Sequence, residues 1–252
     1  MSRVALITGA GRGIGAATAR ELGGRGFHVI VNYVRDAASA RTVVKDVEAA
    51  GGTARAVQAD VFDPEQAGRL VDACPRVDAL VCNANRQPPF ATLEDMTWEA
   101  FHGKLSDELA GAFHVSRAAL PRMRERRAGT IVYVSSLSAE LTRPGAIAHS
   151  SAKAALNAFA RHVALEAAPY GITVNTIAPG AVATDATAGV FTPEARAAFA
   201  ENSVLRRVME PADVARAIAA TVEGGLEGGA FAGVTGARIP VDGGYRVISG
   251  NA

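Results

Sequence analysis

Short apolar runs alternate with longer amphipathic segments along the whole chain. The apolar runs predict seven strands, at about Val4–Thr8, His28–Tyr33, Thr53–Ala59, Ala79–Asn83, Thr130–Ser135, Ile172–Ala178 and Ala237–Val241. The segments between them predict helices near Ile14–Arg25, Ala37–Ala50, Pro64–Ala73, Thr97–Arg126, Ser150–Ala168 and Ala212–Glu223. This alternation is typical of a parallel sheet with crossover helices. We therefore expect the α/β class, with residues 1–252 in a single Rossmann-like, doubly wound domain that binds its ligand beyond the carboxyl ends of the strands.

The segment Thr184–Pro211 departs from this alternation. It contains no strand-like run, and it holds Gly189, Pro193 and a charged, helix-like piece. Long connections in compact domains often cover a functional site, so the segment is a candidate active-site lid. An ordinary surface excursion is the alternative interpretation.

With 252 residues, 49% of them hydrophobic, and a net charge of +1, the chain has the composition of an ordinary globular domain. The near-neutral charge gives no reason to expect nucleic acid or an anionic membrane as a partner. Cys74 and Cys82 lie in apolar surroundings without metal-ligand spacing, so we expect reduced cysteines and no metal site. Met1 leads almost directly into a strand and no apolar run has the length of a membrane span, so we expect a cytoplasmic protein.

A glycine-rich turn, T-G-A-G-R-G-I-G over residues 8–15, joins the first predicted strand to the first helix. Glycines let the backbone approach a pyrophosphate, and the N-terminus of the following helix favours the anion. A glycine-rich turn by itself also marks an ordinary tight turn. Its position at a strand–helix junction favours phosphate binding by Gly9, Arg12, Gly13, Ile14 and Gly15.

The spacing of this turn resembles the T-G-x-x-x-G-I-G motif of the short-chain dehydrogenases/reductases. Two later stretches extend the resemblance: N-T-I-A-P-G-A-V-A-T over residues 175–184, and T-G followed by V-D-G-G over residues 235–244. The resemblance implies that Pro179, Gly180, Val182 and Thr184 lie at the nicotinamide end of a dinucleotide cofactor. In the family motif, the backbone near Val182 holds the nicotinamide amide, and Thr184 holds a phosphate or that amide.

Two shorter matches follow the third and fourth strands. Asp60 and Val61 occupy the position where this family holds the adenine ring, although Asp60 is equally suited to a turn. The fourth strand of the family ends in N-N-A-G, but residues 82–85 read C-N-A-N. Asn83 and Ala84 therefore match, whereas Asn85 replaces a glycine. Asparagine tolerates positive φ better than other residues but adds a side chain, so we expect altered cofactor binding there.

The end of the second strand selects between the two nicotinamide cofactors. An acidic residue there binds the ribose diol of NAD and repels a 2′-phosphate. Here Asn32 replaces it, Arg35 follows, and Arg12 supplies a second guanidinium, which suits phosphate geometry. We therefore expect NADP(H), with solvated surface arginines as the alternative. Asp36 is suited to cap the next helix.

The candidate catalytic residues lie after the fifth strand. Ser136 is followed 13 residues later by His149, with Lys153 one helical turn beyond. The family pattern is a serine, then Tyr-x-x-x-Lys. The resemblance implies that the serine orients a carbonyl, the tyrosine protonates the developing alkoxide, and the lysine lowers the tyrosine pKa and binds the nicotinamide ribose. Ser136 and Lys153 match, but His149 stands at the tyrosine position, and neither Tyr133 nor Tyr170 is placed to replace it.

Two interpretations of His149 are open. Either the acid is lost, leaving a dinucleotide-binding domain without turnover, or imidazolium donates the proton near neutral pH. A histidine nitrogen stops roughly 2 Å short of a tyrosine hydroxyl, and a misplacement of about 1 Å costs on the order of 100-fold in rate. Replacement therefore requires a bridging water or a shifted substrate. Lys153 lowers the pKa of His149 unless Glu108 offsets it.

Glu108 stands where the family has a catalytic asparagine, because residues 107–113, D-E-L-A-G-A-F, resemble x-N-L-x-G-x-F. In the family this asparagine holds a water in the proton relay to the lysine. Glu108 either pairs directly with Lys153 or remains a solvated helix residue.

The resemblance spans the chain and implies NADPH-dependent reduction of a small-molecule or carrier-bound ketone, as in 3-oxoacyl-carrier-protein reductases and polyketide ketoreductases. The alternatives are a non-catalytic subunit in a mixed oligomer with an active reductase, and dehydration or isomerisation on the same scaffold. The resemblance also implies a homotetramer or homodimer paired through Thr97–Arg126 and Ser150–Ala168, with the segment after Gly244 in a second contact. Phe159 and Val163 belong either to such an apolar stripe or to the core.

Overall fold

The computed structural model describes residues 2–184, 187, 192–226 and 228–249. Seven parallel strands form one sheet in the order β3-β2-β1-β4-β5-β6-β7. The strands are β1 Val4–Ile7, β2 His28–Tyr33, β3 Thr53–Gln58, β4 Ala79–Cys82, β5 Gly129–Val134, β6 Ile172–Pro179 and β7 Arg238–Val241. The expected single-domain α/β fold is confirmed, and every strand end lies within one residue of its predicted place.

The helices cover both faces of this sheet. They are α1 Gly13–Gly24, α2 Ala37–Ala49, α3 Pro64–Asp72, α4 Trp98–Arg126, α5 Ile147–Ala167, α6 Pro193–Glu201, α7 Pro211–Gly225 and α8 Tyr245–Ser249. The six predicted helices are confirmed, α6 is the helix-like piece noted in the sequence, and α8 was not predicted. Helix α5 begins three residues before the predicted Ser150, so His149 lies in its first turn.

Alternate residues of the central strands enter two hydrophobic cores, one on each face of the sheet. On β1, Leu6 faces one core and Ile7 the other, and both are fully buried. Strands β1, β4, β5 and β6 are buried at every position, as is usual for parallel strands covered by helices on both faces. On these four strands, a polar side chain can therefore reach a ligand only at the strand end.

Side chains cap several of the helices at their N-termini. Asp36 accepts a hydrogen bond from the Ser39 backbone N–H at 2.9 Å and caps α2. Asp63 caps α3, and Thr97 caps α4. The capping role considered for Asp36 is therefore confirmed, since capping residues satisfy the free N–H groups of a first helical turn.

The described part of the segment Thr184–Pro211 is anchored to the rest of the domain. The Ser203 hydroxyl donates to the Gly243 carbonyl at 2.7 Å, and within the segment Arg196 on α6 pairs with Glu210 at 2.8 Å. Val182 forms a β-bridge with Met209. Residues 185–186 and 188–191 of the candidate lid lie outside the described residues, and the lid remains a prediction.

Cys74 and Cys82 are buried free thiols. Burial raises the pKa of Cys74 to about 11 and that of Cys82 to about 12, so both thiols are protonated and unreactive at neutral pH. Within the described ranges, no three His, Cys, Asp or Glu side chains are grouped to hold a metal ion. No helix in that part of the chain is long and apolar enough to cross a membrane.

Candidate active site

The glycine turn lies at the point where the strand order reverses. Strand β1 is flanked by β2 and β4, so the loops after β1 and β4 leave the sheet in opposite directions and open a crevice at its carboxyl edge. In doubly wound sheets this crevice is the usual ligand site. The residues described below converge on it from the ends of β1, β4, β5 and β6.

The glycine turn forms a cradle that side chains would fill. Gly9 and Gly13 have φ of +62° and +55°, and a Cβ at Gly9 would lie 2.9 Å from the Cα of Ala84. A Cβ at Gly15 would lie 2.5 Å from the Gly9 carbonyl oxygen. The N-terminus of α1 has no side-chain cap and no acidic residue in its first turn, so its N–H groups are free to bind an anion. The cradle therefore fits the pyrophosphate of a dinucleotide.

The side chains of Asn83, Thr8 and Asn32 hold this cradle in place through hydrogen bonds. Asn83 donates to the carbonyl oxygens of Thr8 and Gly9 at 3.0 and 3.1 Å. The Thr8 hydroxyl accepts from the backbone N–H groups of Asn83 and Ala84 at 2.9 and 3.0 Å. These bonds join the ends of β1 and β4. The sequence motif includes Thr8, but its role as the link between the two strands was not predicted.

Asn32 supports the cradle instead of lining the ribose site. It is fully buried, accepts from the Gly9 N–H at 3.2 Å, and donates to the Ala59 carbonyl at 2.9 Å. A side chain held in this way does not reach a cofactor surface. The prediction that Asn32 itself contacts the cofactor is therefore wrong, and Tyr33 is the last residue of β2.

The two predicted phosphate-reading arginines are exposed at this end of the sheet. Arg12 lies in the glycine turn and Arg35 just after β2. Within the described part of the chain, neither has an ion-pair partner within 4 Å. Both guanidinium groups are therefore available for an anionic ligand.

Asp60 takes the turn role that the sequence allowed for it. Its carboxylate accepts from the backbone N–H of Phe62 at 3.0 Å and lies 3.6 Å from the Arg86 guanidinium. Arg86 in turn lies over the Phe62 ring, and Val61 is buried. Contact of Asp60 and Val61 with an adenine ring remains a prediction.

The loop after β6 closes the crevice from the other side. Gly180 lies so close to Asp242 that a Cβ at this position would come within 2.9 Å of the aspartate Cβ. Val182 is buried, and Thr184 lies 3.6 Å from where a Cβ of Gly13 would be. The fold therefore brings the Pro179–Thr184 stretch against the glycine turn, as the resemblance implies.

Lys153 is fixed between β5 and α4. Its ammonium donates to the Val134 carbonyl at 2.8 Å and to Glu108 at 2.6 Å, and its side chain is 5% exposed. Ser136 follows the end of β5, and its hydroxyl oxygen accepts from the Ser138 N–H at 3.1 Å. The direct pairing of Glu108 with Lys153, one of the two predicted alternatives, is therefore what the structure shows.

Glu108 has a second cation as a partner. Lys104, one turn earlier on α4, donates to its other carboxylate oxygen at 2.7 Å. Burial opposes the charge on Glu108, but the ammonium groups of Lys153 and Lys104 outweigh it and hold the carboxyl pKa below its ordinary value. Burial lowers the pKa of Lys104, an effect that Glu108 partly offsets. Sequence reasoning missed Lys104, although its i, i+4 spacing to Glu108 was visible.

Asn85 does not adopt the left-handed backbone that a glycine would favour. Within the described residues, the non-glycine positions with positive φ are Arg127 and Arg206. The Asn85 side chain instead accepts a hydrogen bond from Lys104. The replaced glycine therefore affects the site through this added contact and not through backbone strain.

His149 lies in the first turn of α5, where several positive charges surround it. Burial and the nearby cations of Lys153, Lys104 and Arg143 lower its pKa to about 4, and Glu108 offsets this only in part. Nδ1 is buried and has no partner in the described part of the chain. The lowering by Lys153 that the sequence suggested is therefore present and Glu108 does not cancel it, so the ring is neutral at pH 7 and is not an imidazolium acid there.

Comparison with known proteins agrees with this geometry. The sequence profile of the family described as enoyl-(acyl carrier protein) reductase matches residues 9–246. Versicolorin reductase 1 of Aspergillus parasiticus is 38% identical over 255 residues, with 91% of this chain and 96% of that protein covered. The 3-oxoacyl-[acyl-carrier-protein] reductase of Synechocystis is 38% identical over 190 residues, with 74% and 76% covered. The structure of a short-chain type dehydrogenase/reductase from Mycobacterium ulcerans matches with a TM-score of 0.90 at 27% identity, with 98% and 92% covered.

The fold, the glycine cradle and these matches place the chain in one class of protein, the oxidoreductases with a Rossmann-like sheet. The chain belongs to the short-chain dehydrogenase/reductase family. Its homologues use nicotinamide dinucleotide cofactors, and the cradle fits the pyrophosphate that such cofactors share.

Proposed function

We propose that the protein reduces a ketone with NADPH, and that the substrate is a 3-oxoacyl or polyketide-like compound, free or carrier-bound. The observation that carries the proposal is that Glu108 and Val134 hold Lys153 at the end of β5 with donor capacity left for a ligand, at the same carboxyl edge of the sheet as the glycine cradle. The relatives named as 3-oxoacyl-carrier-protein and versicolorin reductases support this substrate class.

Lys153 has the role of holding the cofactor ribose. An ammonium has three N–H donors. Two of them are committed to Glu108 and Val134, and the described residues take no third. The third N–H therefore suits a ribose hydroxyl. A bound nicotinamide supplies the hydride that reduces the carbonyl carbon.

Ser136 has the role of orienting the carbonyl. Its oxygen already accepts from the Ser138 N–H, so its own O–H proton is free to donate. The bond to Ser138 also fixes the position of the hydroxyl at the end of β5. A carbonyl oxygen that accepts from Ser136 is polarised for attack at its carbon.

His149 has the role of proton donor as a neutral ring. The cations of Lys153, Lys104 and Arg143 favour loss of the N–H proton from the neutral ring, whereas burial, the largest cause of the low pKa, opposes either charged form of the imidazole. A neutral histidine with a lowered pKa can polarise a carbonyl in this way. The proton passes to the alkoxide directly or through a bridging water, and the ring recovers a proton from solvent.

Arg12 and Arg35 have the role of reading the 2′-phosphate. Each well-made charge-assisted contact contributes about 1.5–3 kcal/mol. Fluorescence titration should therefore show tighter binding of NADPH than of NADH, with the difference reduced in Arg12→Ala and Arg35→Ala. Equal affinities for the two cofactors in the parent protein would reject the assignment.

Turnover of NADPH with a panel of ketones tests the proposed function. An acid–base group contributes about 10²- to 10⁴-fold, so His149→Phe should lower the rate by that order and leave NADPH binding intact. A parent that binds NADPH and reduces no ketone, with activity gained in His149→Tyr, would instead support the non-catalytic subunit. Consumption of an alcohol or enone without change in NADPH would support dehydration or isomerisation.

A further inference from the structure

Three positions where the chain departs from its family pattern are linked through one lysine. Lys104 donates to Asn85, which replaces a glycine, and to Glu108, which replaces an asparagine. Glu108 pairs with Lys153, whose charge acts on His149, the replacement for the tyrosine. The replacements at positions 85, 108 and 149 are therefore linked in one network of contacts and charges and are not three unrelated changes.

The charges in this network explain why a second cation is needed. A buried carboxylate paired with Lys153 alone would neutralise that ammonium, and burying two opposite charges costs several kcal/mol per ion unless hydrogen bonds compensate. Lys104 adds a second ammonium, so the three side chains together keep a net positive charge. The side chains of Lys104, Glu108 and Lys153 are 2%, 3% and 5% exposed, so solvent screens them little.

Lys104 itself has no capacity left for a ligand. Its three N–H groups go to Asn85, to the Arg86 carbonyl at 3.2 Å and to Glu108. It therefore acts on the reaction through its neighbours and does not contact the substrate.

We propose that Lys104 is a positioning residue, which keeps Glu108 ionised and fixed so that Lys153 retains its charge and its third N–H for the cofactor ribose. The inference rests on the proposed role of Lys153. It implies that Lys104 affects cofactor binding only while a carboxylate stands at position 108. With the family's neutral asparagine there, Lys104 has no charge to balance.

A double-mutant cycle on NADPH binding tests this dependence. Lys104→Met should weaken NADPH binding about tenfold, because the buried Glu108 carboxylate loses one of its two cations and is no longer held ionised and fixed beside Lys153. The double variant Lys104→Met/Glu108→Asn should bind NADPH as tightly as Glu108→Asn alone, because Lys104 then has no carboxylate to balance.

Matched controls separate this role from a general loss of structure. Lys45→Met removes an exposed lysine from α2 and should not change NADPH binding. If Lys104→Met does not fold, Asn85→Ala removes one acceptor of Lys104 and should cause a smaller loss of NADPH binding that also disappears in the Glu108→Asn background. If Lys104→Met causes the same loss in the parent and in the Glu108→Asn variant, the inference is overturned while the proposed function stands. A parent that binds no NADPH would reject both.

Discussion

At the scale of single residues, the imidazole of His149 shows how neighbours set a charge state. Burial and the cations of Lys153, Lys104 and Arg143 oppose a positive ring, and one carboxylate, Glu108, favours it. The result is a histidine that is neutral across the physiological range. Ketone reduction should therefore show no inflection near pH 6.5, the ordinary pKa of histidine.

His149 should also make stability depend on pH. Its pKa is about 4 in the folded protein and about 6.5 when unfolded, so between these values the unfolded chain binds more protons. The stabilisation is present above pH 6.5 and is lost by about 1.4 kcal/mol for each pH unit on falling toward pH 4. Urea unfolding at several pH values measures this loss.

His149→Gln provides the reference for this measurement. The variant lacks the titrating ring, so the parent should lose more stability than the variant as the pH falls from about 6.5 to about 4.5. Other groups titrate equally in both proteins and cancel in the difference. Parallel curves for the two proteins would show that the ring charges freely in the folded state.

At the scale of elements, the glycine turn and α1 act as one rigid unit. Gly15 belongs to the helix, yet a Cβ there would meet the Gly9 carbonyl at 2.5 Å and the Asn83 side chain at 2.6 Å. Gly24, at the other end of the same helix, has open space around its Cβ position. The two glycines therefore offer a matched comparison within α1.

Gly15→Ala should destabilise the protein by about 1–3 kcal/mol and weaken NADPH binding, because overpacking distorts the cradle. Gly24→Ala should leave NADPH binding unchanged and stabilise the helix by up to about 1 kcal/mol. Thermal unfolding and fluorescence titration measure the two effects. Wild-type NADPH affinity in Gly15→Ala would mean that the cradle does not hold the pyrophosphate.

At the scale of the whole molecule, α4 and α5 present apolar side chains to solvent. Phe113 on α4 is 45% exposed, and Leu165 on α5 is 74% exposed. The sequence left Phe159 and Val163 either to an apolar stripe or to the core: Val163 is buried in the core, and Phe159 is partly buried and packs on the Tyr133 ring.

We expect a homodimer or homotetramer in which Leu165 is covered by a second copy, since exposed apolar patches mark interfaces. Leu165→Glu should shift the mass measured by light scattering toward the monomer at micromolar concentration. Leu93→Glu changes a residue that is 76% exposed and lies outside α4 and α5, and it should leave the mass unchanged. A monomeric parent would refute the expected assembly.

The sequence by itself determined the elements and the cradle. Strand and helix positions follow from hydrophobic periodicity, which is a local property, and the short apolar runs at β1 to β7 repeat it clearly. The spacing of Gly9, Gly13 and Gly15 is equally local, because one turn contains all the atoms that must approach the phosphate.

Only the tertiary structure decided which side chains of the site contact one another. Lys104, Glu108 and Lys153 come from two helices, and their partners Asn85 and Val134 come from the ends of two strands. Burial and charge depend on such long-range arrangement, so neither the low pKa of His149 nor the second partner of Glu108 follows from spacing along the chain. The same holds for Asn32, because the sequence places it near the end of a strand but does not show that its side chain turns inward to hold Gly9.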